Sequence, residues 1–308
     1  MVEKAKLLDY WNEPKFESAE LASKLNVLKN SPLVSVCIPA FKPDFLKQAI
    51  DSVLTQTYHN IEIVICDDSN SDEIEKIVQQ YKDKRIIYIK NRINLGGRRN
   101  LINCLKNSNG EYIKFLNDDD LLMKNCIETM VKYFEYYGDK ITLNTSRRNI
   151  INENNELLND TRFTLPLSKS DIYINGIEVG NYTLTFGENL IGEPSTTMFR
   201  LSDAKRVKHG LFNFKNGKTY CGIDFIAWLN LLAFGDCIYI SKPLSYFREH
   251  KNQLGRSFKA RLRCRIGWFN ILIESRDLGY LKERKQLIYA IYNYSKLMVS
   301  KIWKSART

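Results

Sequence analysis

The chain has 308 residues and 44% of them are hydrophobic, which is enough for a substantial core in one large domain or two small ones. Its net charge is +11, and residues 251–308 carry 14 Lys and Arg against 3 Asp and Glu, so this basic tail accounts for the whole excess. The start of the chain is charged, and no apolar run approaches the roughly 18–20 residues that span a bilayer, which argues against a secretory signal and a transmembrane helix.

The cysteines fit a reducing compartment. There are seven, at positions 37, 66, 104, 126, 221, 237 and 264, an odd number with no CxxC pair. Two of them lie within apolar, strand-like runs. Free, buried thiols are therefore expected, and a disulfide framework or zinc site is not. We expect a cytoplasmic protein.

The first part of the chain alternates between strand and helix patterns. Residues 1–32 are predicted to form a helical extension, and buried strands then follow at 33–38, 61–66, 85–89 and 112–116, the first of them stopped by Pro39. Helices are predicted between them, with Leu46, Ala49, Ile50, Val53 and Leu54 on one face of the first. Continuous apolar strands separated by helices predict an α/β fold with a mainly parallel, Rossmann-like sheet covered on both faces.

The pattern loosens after Tyr137. We predict a strand over 142–151 that turns into a hairpin at 152–155, a loop-rich stretch over 160–220 and an amphipathic helix over 222–234. Residues 251–308 are predicted to be a basic helical extension. Its basic residues lead into Ile266, Trp268, Phe269, Leu272 and Ile273, and a later helix places Leu287, Ile291, Tyr294, Met298 and Ile302 on one stripe.

Carboxylates follow two of the predicted strands. Asp67 and Asp68 end the second, and Asn117-Asp118-Asp119-Asp120 follows the fourth. Ligands of open parallel sheets lie beyond the carboxyl ends of the strands, so these groups converge on one candidate site. Adjacent carboxylates repel one another unless a cation neutralises them, and oxygen ligands suit Mg²⁺ or Mn²⁺. The alternative is a solvated acidic turn.

Five motifs in this order and spacing resemble the family 2 glycosyltransferases of the GT-A fold. The resemblance covers residues 33–250 and implies a nucleotide-sugar donor, a divalent metal (Mn²⁺ or Mg²⁺) and a direct, inverting sugar transfer. It divides the domain into a nucleotide-binding half, about 33–140, and an acceptor half, about 141–250. The motifs are residues 34–41, 52–58, 62–69, 94–100 and 110–120.

The resemblance also implies roles for residues of the first half. Asp68 would accept a hydrogen bond from the uracil N–H, and Arg99 would contact the nucleotide or its diphosphate. Asp119 corresponds to the principal metal ligand and Asp118 lies near the ribose and uridine. Asn117 replaces the first carboxylate of the family's D-x-D, so it can still bind a ribose hydroxyl while metal affinity falls. The segment Pro39-Ala40-Phe41 would offer backbone and an aromatic surface to the base.

In the second half the resemblance implies a catalytic base. Asp224 occupies its position at the start of a helix, with Ile223 where a Glu is usual. Glu193 is expected to face the cleft on the acceptor side, and Arg248 or His250 to reach the diphosphate or metal. Simpler interpretations stay open: Asp68 and Asp224 as helix caps, Arg99 as a surface residue and His250 as a structural one.

Substrates and alternatives complete the expectation. A UDP-sugar is favoured over GDP- or TDP-sugars, with a bacterial surface glycan, glycolipid or glycoprotein as acceptor. A catalytically idle GT-A binding subunit is one alternative. A nucleic-acid-binding protein is disfavoured because the tail has no such motif, and a nucleotidyltransferase because the Gly-rich phosphate loop is absent. The tail either packs on the catalytic domain or on a second subunit, or attaches peripherally to the anionic inner face of the plasma membrane.

Overall fold

The computed structural model describes residues 31–161, 164–215, 222–251 and 267–305. Residues 1–30 of the predicted N-terminal extension lie outside the described residues. So do the five basic positions 256, 259, 261, 263 and 265 of the tail, and the apolar Ile266.

The described strands form one ten-stranded sheet. On its main path the order is β3-β2-β1-β4-β9-β6-β10-β5, with β7 paired to β6 and β8 to β10. Strands on both sides of the predicted boundary between the two halves belong to this sheet. The strands are β1 (Val34–Ala40), β2 (Ile61–Asp67), β3 (Ile86–Lys90), β4 (Tyr112–Phe115), β5 (Leu121–Leu122), β6 (Ile141–Ile151), β7 (Leu157–Leu158), β8 (Ile172–Ile174), β9 (Thr197–Arg200) and β10 (Asp236–Arg248).

Most strands of the main path point in one direction. The strands β1 to β4 are mutually parallel, and β9 runs antiparallel between β4 and β6. Because β9 is antiparallel to both of its neighbours, β6 runs in the same direction as β1 to β4. Strand β10 also runs in this direction, because it is parallel to β6. The carboxyl ends of β1, β2, β4, β6 and β10 therefore meet at one edge, as the sequence predicts.

Helices cover both faces of the sheet, in agreement with the predicted architecture. One face packs α1 and α4, with Ile50 and Met130 fully buried, and the other packs α3 and α7, with Cys104 and Trp228 buried. The helices are α1 (Leu46–Leu54), α2 (Glu73–Val78), α3 (Gly97–Lys106), α4 (Cys126–Tyr137), α5 (Gly176–Phe186), α6 (Leu201–Arg206), α7 (Ile223–Leu232), α8 (residues 267–274) and α9 (Arg284–Ser305).

Two boundary predictions need correction. Pro39 lies inside β1, because β4 pairs with β1 only as far as Cys37 and the missing N–H of Pro39 leaves no partner unsatisfied there. Residues 160–220 also contain more structure than expected. Helix α5 begins at the Asn175 side chain, which accepts hydrogen bonds from two backbone N–H groups, and ends at Gly187 with φ of 65°.

Helix α7 is not amphipathic, contrary to prediction. Every residue from Phe225 to Leu232 is buried. One side of the helix packs on the sheet through Ala227 and Trp228, and the other packs against the C-terminal helices through Ile226 and Leu229. A helix covered on both sides has no polar face to display.

The C-terminal helices form a third layer over α5 and α7. Trp268 stacks between Phe225 and Tyr294, with ring centroids 4.8 and 5.7 Å away. Tyr280 is buried and donates to the Leu229 carbonyl at 2.8 Å. Leu287, Ile291 and Tyr294 pack here as an apolar stripe should, whereas Ile273 is exposed; the side chains of Met298 and Ile302 lie outside the described part of the chain.

The described residues also bear on the predictions for a membrane span and for the cysteines. Within the described residues, no helix combines the length and the hydropathy that crossing a bilayer requires. The five described cysteines are buried free thiols, as expected: Cys37, Cys66, Cys104, Cys126 and Cys237.

Candidate active site

The acidic turn after β4 is fixed to the end of β1. Asp118 Oδ2 accepts hydrogen bonds from the backbone N–H groups of Phe41 at 2.7 Å and Lys42 at 2.8 Å. Burial raises the pKa of Asp118 to about 6, while the two N–H donors favour its charged form. Asp118 thus positions the backbone that was predicted to contact the base.

Asp68 fastens the turn that leads into α3. Its carboxylate is 3% exposed and accepts from Asn91 Nδ2 at 2.8 Å, the Leu95 N–H at 2.6 Å and the Gly96 N–H at 2.8 Å. Three of its four acceptor positions are therefore used within the protein. A uracil N–H would have to use the fourth. The Asp68 carboxylate thus binds the backbone N–H groups that immediately precede α3, much as a helix-capping residue would.

Two other predicted nucleotide contacts expose their side chains at this edge. The Phe41 ring is 40% exposed, and Arg99 is exposed in the first turn of α3. Ala40 is fully buried and contributes only its backbone, since its carbonyl accepts from the Asp68 N–H at 2.8 Å. Pro39 is half-buried beside it.

Asp119 and His250 form a contact between β4 and the end of β10. His250 Nε2 lies 3.0 Å from Asp119 Oδ2, and the imidazole packs on the Phe45 ring. Two neighbouring ligands of an octahedral Mg²⁺ are about 3 Å apart, so this pair fits one divalent ion. The described residues contain no group of three His, Cys, Asp or Glu that could hold a metal alone. Substrate oxygens would have to complete the coordination.

The Arg248 guanidinium is engaged by contacts within the protein. The residue is fully buried, and its guanidinium lies over the Phe45 ring. Nε donates to the Asp119 carbonyl at 2.8 Å, Nη2 to Gln48 Oε1 at 2.9 Å and Nη1 to Asn155 Oδ1 at 2.7 Å. These three contacts connect the end of β10 to the acidic turn, to α1 and to the β6–β7 turn.

Asp120 is the buried centre of the acidic turn. Its carboxylate accepts from Asn117 Nδ2 at 3.0 Å, Ser195 Oγ at 2.6 Å and the Arg248 N–H at 3.0 Å. Burial, together with Asp119 and Glu193, raises its pKa to about 8. Asn117 therefore supplies a donor where a carboxylate would repel Asp120.

Lys114 lies beneath this turn. It is fully buried in β4 and donates to the carbonyls of Ser195 and Thr197 at 2.5 and 3.2 Å. Burial lowers its pKa, and Asp120 and Glu193 oppose that shift. Lys114 thus connects β4 to the segment that follows Glu193.

Substituting Asn117→Asp tests the contact with Asp120. In metal-free buffer above pH 8, where Asp120 is charged, we expect the free energy of unfolding to fall by about 1–3 kcal/mol, because a donor to a buried carboxylate is replaced by a like charge. Denaturant unfolding measures this, with Asn117→Ala as the control that removes the donor alone. If the Asn117→Asp protein is as stable as wild type, the contact has no energetic weight.

Asp224 lies in the first turn of α7. Gly222 precedes the helix with φ of 64°, and no side chain caps it. Burial raises the pKa of Asp224, while the backbone N–H groups of Phe225 and of Asp224 itself oppose the shift. Asn189 Nδ2 approaches Asp224 Oδ2 at 3.4 Å. A carboxylate with a raised pKa can serve as a proton acceptor near neutral pH.

Glu193 and Arg148 form an ion pair near Asp224. Arg148 Nε lies 2.6 Å from Glu193 Oε1 without the alignment of a hydrogen bond, and each side chain is 16% exposed. Burial raises the pKa of Glu193, Arg148 lowers it and Asp224 raises it further. Glu193 therefore lies within electrostatic reach of the candidate base.

A match to a family model decides the classification. Residues 35–207, more than half of the chain, match the model described as glycosyl transferase family 2. The chain belongs to glycosyl transferase family 2. The match contains Asp68, the acidic turn and Glu193, and it ends before Asp224 and His250.

Named members of the family support the same placement. WfaP of Escherichia coli, described as UDP-Glc:alpha-D-GlcNAc-diphosphoundecaprenol beta-1,3-glucosyltransferase, is 42% identical over 106 residues, which are 33% of this chain and 41% of WfaP. Glycosyltransferase GlyA of Streptococcus pneumoniae serotype 4 is 27% identical over 83% of this chain and 36% of GlyA. The chain spans between about a fifth and a half of the length of the curated relatives that it matches.

A solved structure shares the fold. S. aureus TarS 1–349, crystallised with UDP-GlcNAc, superposes with a TM-score of 0.60 at 15% identity, covering 85% of this chain and 80% of TarS 1–349. At this identity the likeness establishes the GT-A fold, as the sequence predicts.

The site contains residues that sequence reasoning missed. Lys114 interrupts the apolar run 112–116, and a lysine at such a position signals a buried charge that needs hydrogen-bond partners. Ser195, Asn189 and Arg148 carry no such signal, because their contacts with Asp120, Asp224 and Glu193 span between 35 and 75 residues of sequence.

Proposed function

We propose that this chain is an inverting glycosyltransferase that moves a sugar from a nucleotide-sugar donor to a hydroxyl acceptor. The observation that carries the proposal is the convergence of a two-residue cation site, Asp119 and His250, with a partly exposed carboxylate of raised pKa, Asp224, at one edge of the sheet. Such a site has a place for a diphosphate and a place for a base, as sugar transfer requires.

The donor would lie along the carboxyl ends of the strands. The exposed Phe41 ring suits stacking on the base, Arg99 suits the nucleotide or its diphosphate, and Asn117 Oδ1 suits a ribose hydroxyl. Asp119 and His250 would hold Mn²⁺ or Mg²⁺. A divalent ion there offsets the charge that develops on the leaving diphosphate.

Asp224 would act on the acceptor. Its carboxylate takes the proton from the acceptor hydroxyl as that oxygen attacks C1 of the sugar, and the bond to the diphosphate breaks. Because attack and departure take place on opposite faces of C1, the anomeric configuration inverts. Burial raises the pKa of Asp224, which strengthens it as a base.

A UDP-sugar is the donor we favour, with a surface glycan, glycolipid or glycoprotein as acceptor. WfaP is named for a UDP-glucose donor and a diphosphoundecaprenol-linked acceptor, and TarS was crystallised with UDP-GlcNAc and with UDP. A thermal-shift panel of UDP-, GDP- and TDP-sugars with and without Mn²⁺ tests the donor class. We expect the largest stabilisation with a UDP-sugar plus Mn²⁺, and no response to any nucleotide sugar would contradict the proposal.

We also propose that the C-terminal layer attaches to an anionic membrane surface. Helix α9 exposes Ile288 (57%), Tyr289 (53%) and Tyr292 (62%) between the exposed Lys285 and Lys296, opposite its packed face. Aromatic and aliphatic side chains flanked by lysines suit the headgroup region, and residues 251–308 carry all of the net positive charge.

Neutralising the flanking lysines tests this attachment. Each well-placed cation contributes about 1 kcal/mol, so Lys285→Gln with Lys296→Gln should weaken sedimentation with phosphatidylserine vesicles roughly 10–30-fold at low salt. The double substitution Lys205→Gln with Lys208→Gln, at exposed lysines elsewhere, is the matched control. Failure of the unsubstituted protein to sediment with such vesicles would rule the attachment out. Truncation before α8 is unsuitable, because it would uncover Phe225 and Leu229.

A further inference from the structure

We propose that the Arg148–Glu193 ion pair is the subsite that binds hydroxyl groups of the donor sugar and so selects which sugar is transferred. The inference rests on the proposed function and deepens it, because it names the part of the substrate that these two residues recognise. Neither the family match nor the names of the relatives assigns a role to Arg148.

The position of the pair follows from the chemistry of the donor. C1 of the sugar must lie between the diphosphate, at Asp119 and His250, and the acceptor oxygen, at Asp224. The segment that carries Glu193 contacts both groups. Ser195 Oγ donates to Asp120 of the acidic turn at 2.6 Å, and Asn189 Nδ2 contacts the Gly192 carbonyl at 2.9 Å and Asp224 Oδ2 at 3.4 Å. Glu193 lies between these contacts along the chain, and its electrostatic interactions with Asp120 and Asp224 agree with a place beside the sugar ring.

The chemistry of the pair suits hydroxyl groups. The side chains of Arg148 and Glu193 are each 16% exposed, and their facing atoms, Nε and Oε1, are buried without an aligned hydrogen-bond partner among the described residues. Arg148 offers N–H donors and Glu193 offers acceptor oxygens side by side, and a sugar hydroxyl both accepts and donates. Hydrogen bonds to charged groups are stronger than neutral ones, so such a pair can distinguish the presence and orientation of a hydroxyl.

The loop that carries Glu193 is shaped to admit the guanidinium. Gly192 has φ of +101°, and a Cβ there would lie 2.6 Å from Thr196 Oγ1 and 3.3 Å from Arg148 Nη1. The Gly192 carbonyl accepts from Trp228 Nε1 at 3.0 Å and Asn189 Nδ2 at 2.9 Å. The loop is thus anchored to α7, the helix that carries Asp224. This anchor fixes the position of the Arg148–Glu193 pair relative to Asp224.

Donor selectivity provides the test. UDP release from UDP-glucose, UDP-galactose and UDP-N-acetylglucosamine is measured for wild type, Arg148→Gln and Glu193→Gln, and calorimetry gives the affinity for UDP alone. We expect kcat/KM for the preferred donor to fall roughly 10–100-fold, and the ratio between donors to approach one. The affinity for UDP should change less than about threefold, and the stoichiometry of the same titration reports the folded fraction of each variant.

Arg147→Gln is the matched control. Arg147 is the adjacent residue of β6 and pairs with Asp160, away from Glu193, so its loss should leave donor selectivity unchanged. Variants that lose activity equally toward all three donors would overturn the inference and leave the pair a structural contact. The same holds for variants that lose UDP affinity in parallel. A wild-type protein that neither binds UDP nor releases it from any donor would instead refute the proposed function itself.

Discussion

Replacing Asp224 by Asn should lower the rate of sugar transfer roughly 10²–10⁴-fold while donor binding changes little. Asparagine keeps the size of the side chain and its contact with Asn189, but it cannot take the acceptor's proton. Steady-state UDP release and calorimetric titration of the donor measure the two effects separately. The wild-type rate should also rise with pH until the base is fully deprotonated. Since burial raises the pKa of Asp224, this rise should occur at a higher pH than it would for an aspartate of ordinary pKa.

Asp203→Asn is the matched control for this substitution. Asp203 is a buried carboxylate on α6 that pairs with Arg200, outside the candidate site. Its amide variant should lose stability and keep its rate per folded molecule. If Asp224→Asn behaves in the same way, Asp224 only supports the first turn of α7.

Replacing Asp119 by Ala should abolish metal-dependent donor binding and turnover. The substitution removes one of the two residues that fit the divalent ion, so the charge of the diphosphate is no longer offset. Calorimetric titration of UDP with and without Mn²⁺ is the measurement. In wild type Mn²⁺ should strengthen binding, and in the variant it should have no effect.

Two further variants complete the metal experiment, one at the second ligand and one as a control. His250→Gln should weaken the Mn²⁺ effect because it removes the second ligand, whereas Asp72→Ala, at an exposed aspartate before α2, should leave it unchanged. Undiminished metal-dependent turnover in Asp119→Ala would contradict the assignment of the cation site.

The parallel half of the fold could be predicted from local sequence because its signals are local. Apolar runs of five to seven residues define β1 and β2. The caps Asn175 and Gly187 of α5 are equally local signals, which the prediction of a loop-rich stretch missed. The failure at α7 has a different cause. Its burial on both sides depends on α8 and α9, which follow it by more than 30 residues.

The candidate site shows the same division. Asp119 and Asp224 stand at strand and helix ends that the sequence marks, and the structure brings His250 to Asp119 across 131 residues. The prediction that Arg248 or His250 reaches the diphosphate or metal rests on the family resemblance. The contacts of Arg248 with α1 and the β6–β7 turn could not be predicted from local sequence, because they depend on the packed fold.

The stereochemistry of donor hydrolysis tests the central claim most directly. With a UDP-α-sugar, Mn²⁺ and no acceptor, water should take the place of the acceptor hydroxyl, and proton NMR can identify the sugar anomer released before mutarotation. An inverting transferase that uses Asp224 as base should release the β-anomer first, and Asp224→Asn should suppress that signal. Initial release of the α-anomer would contradict the account.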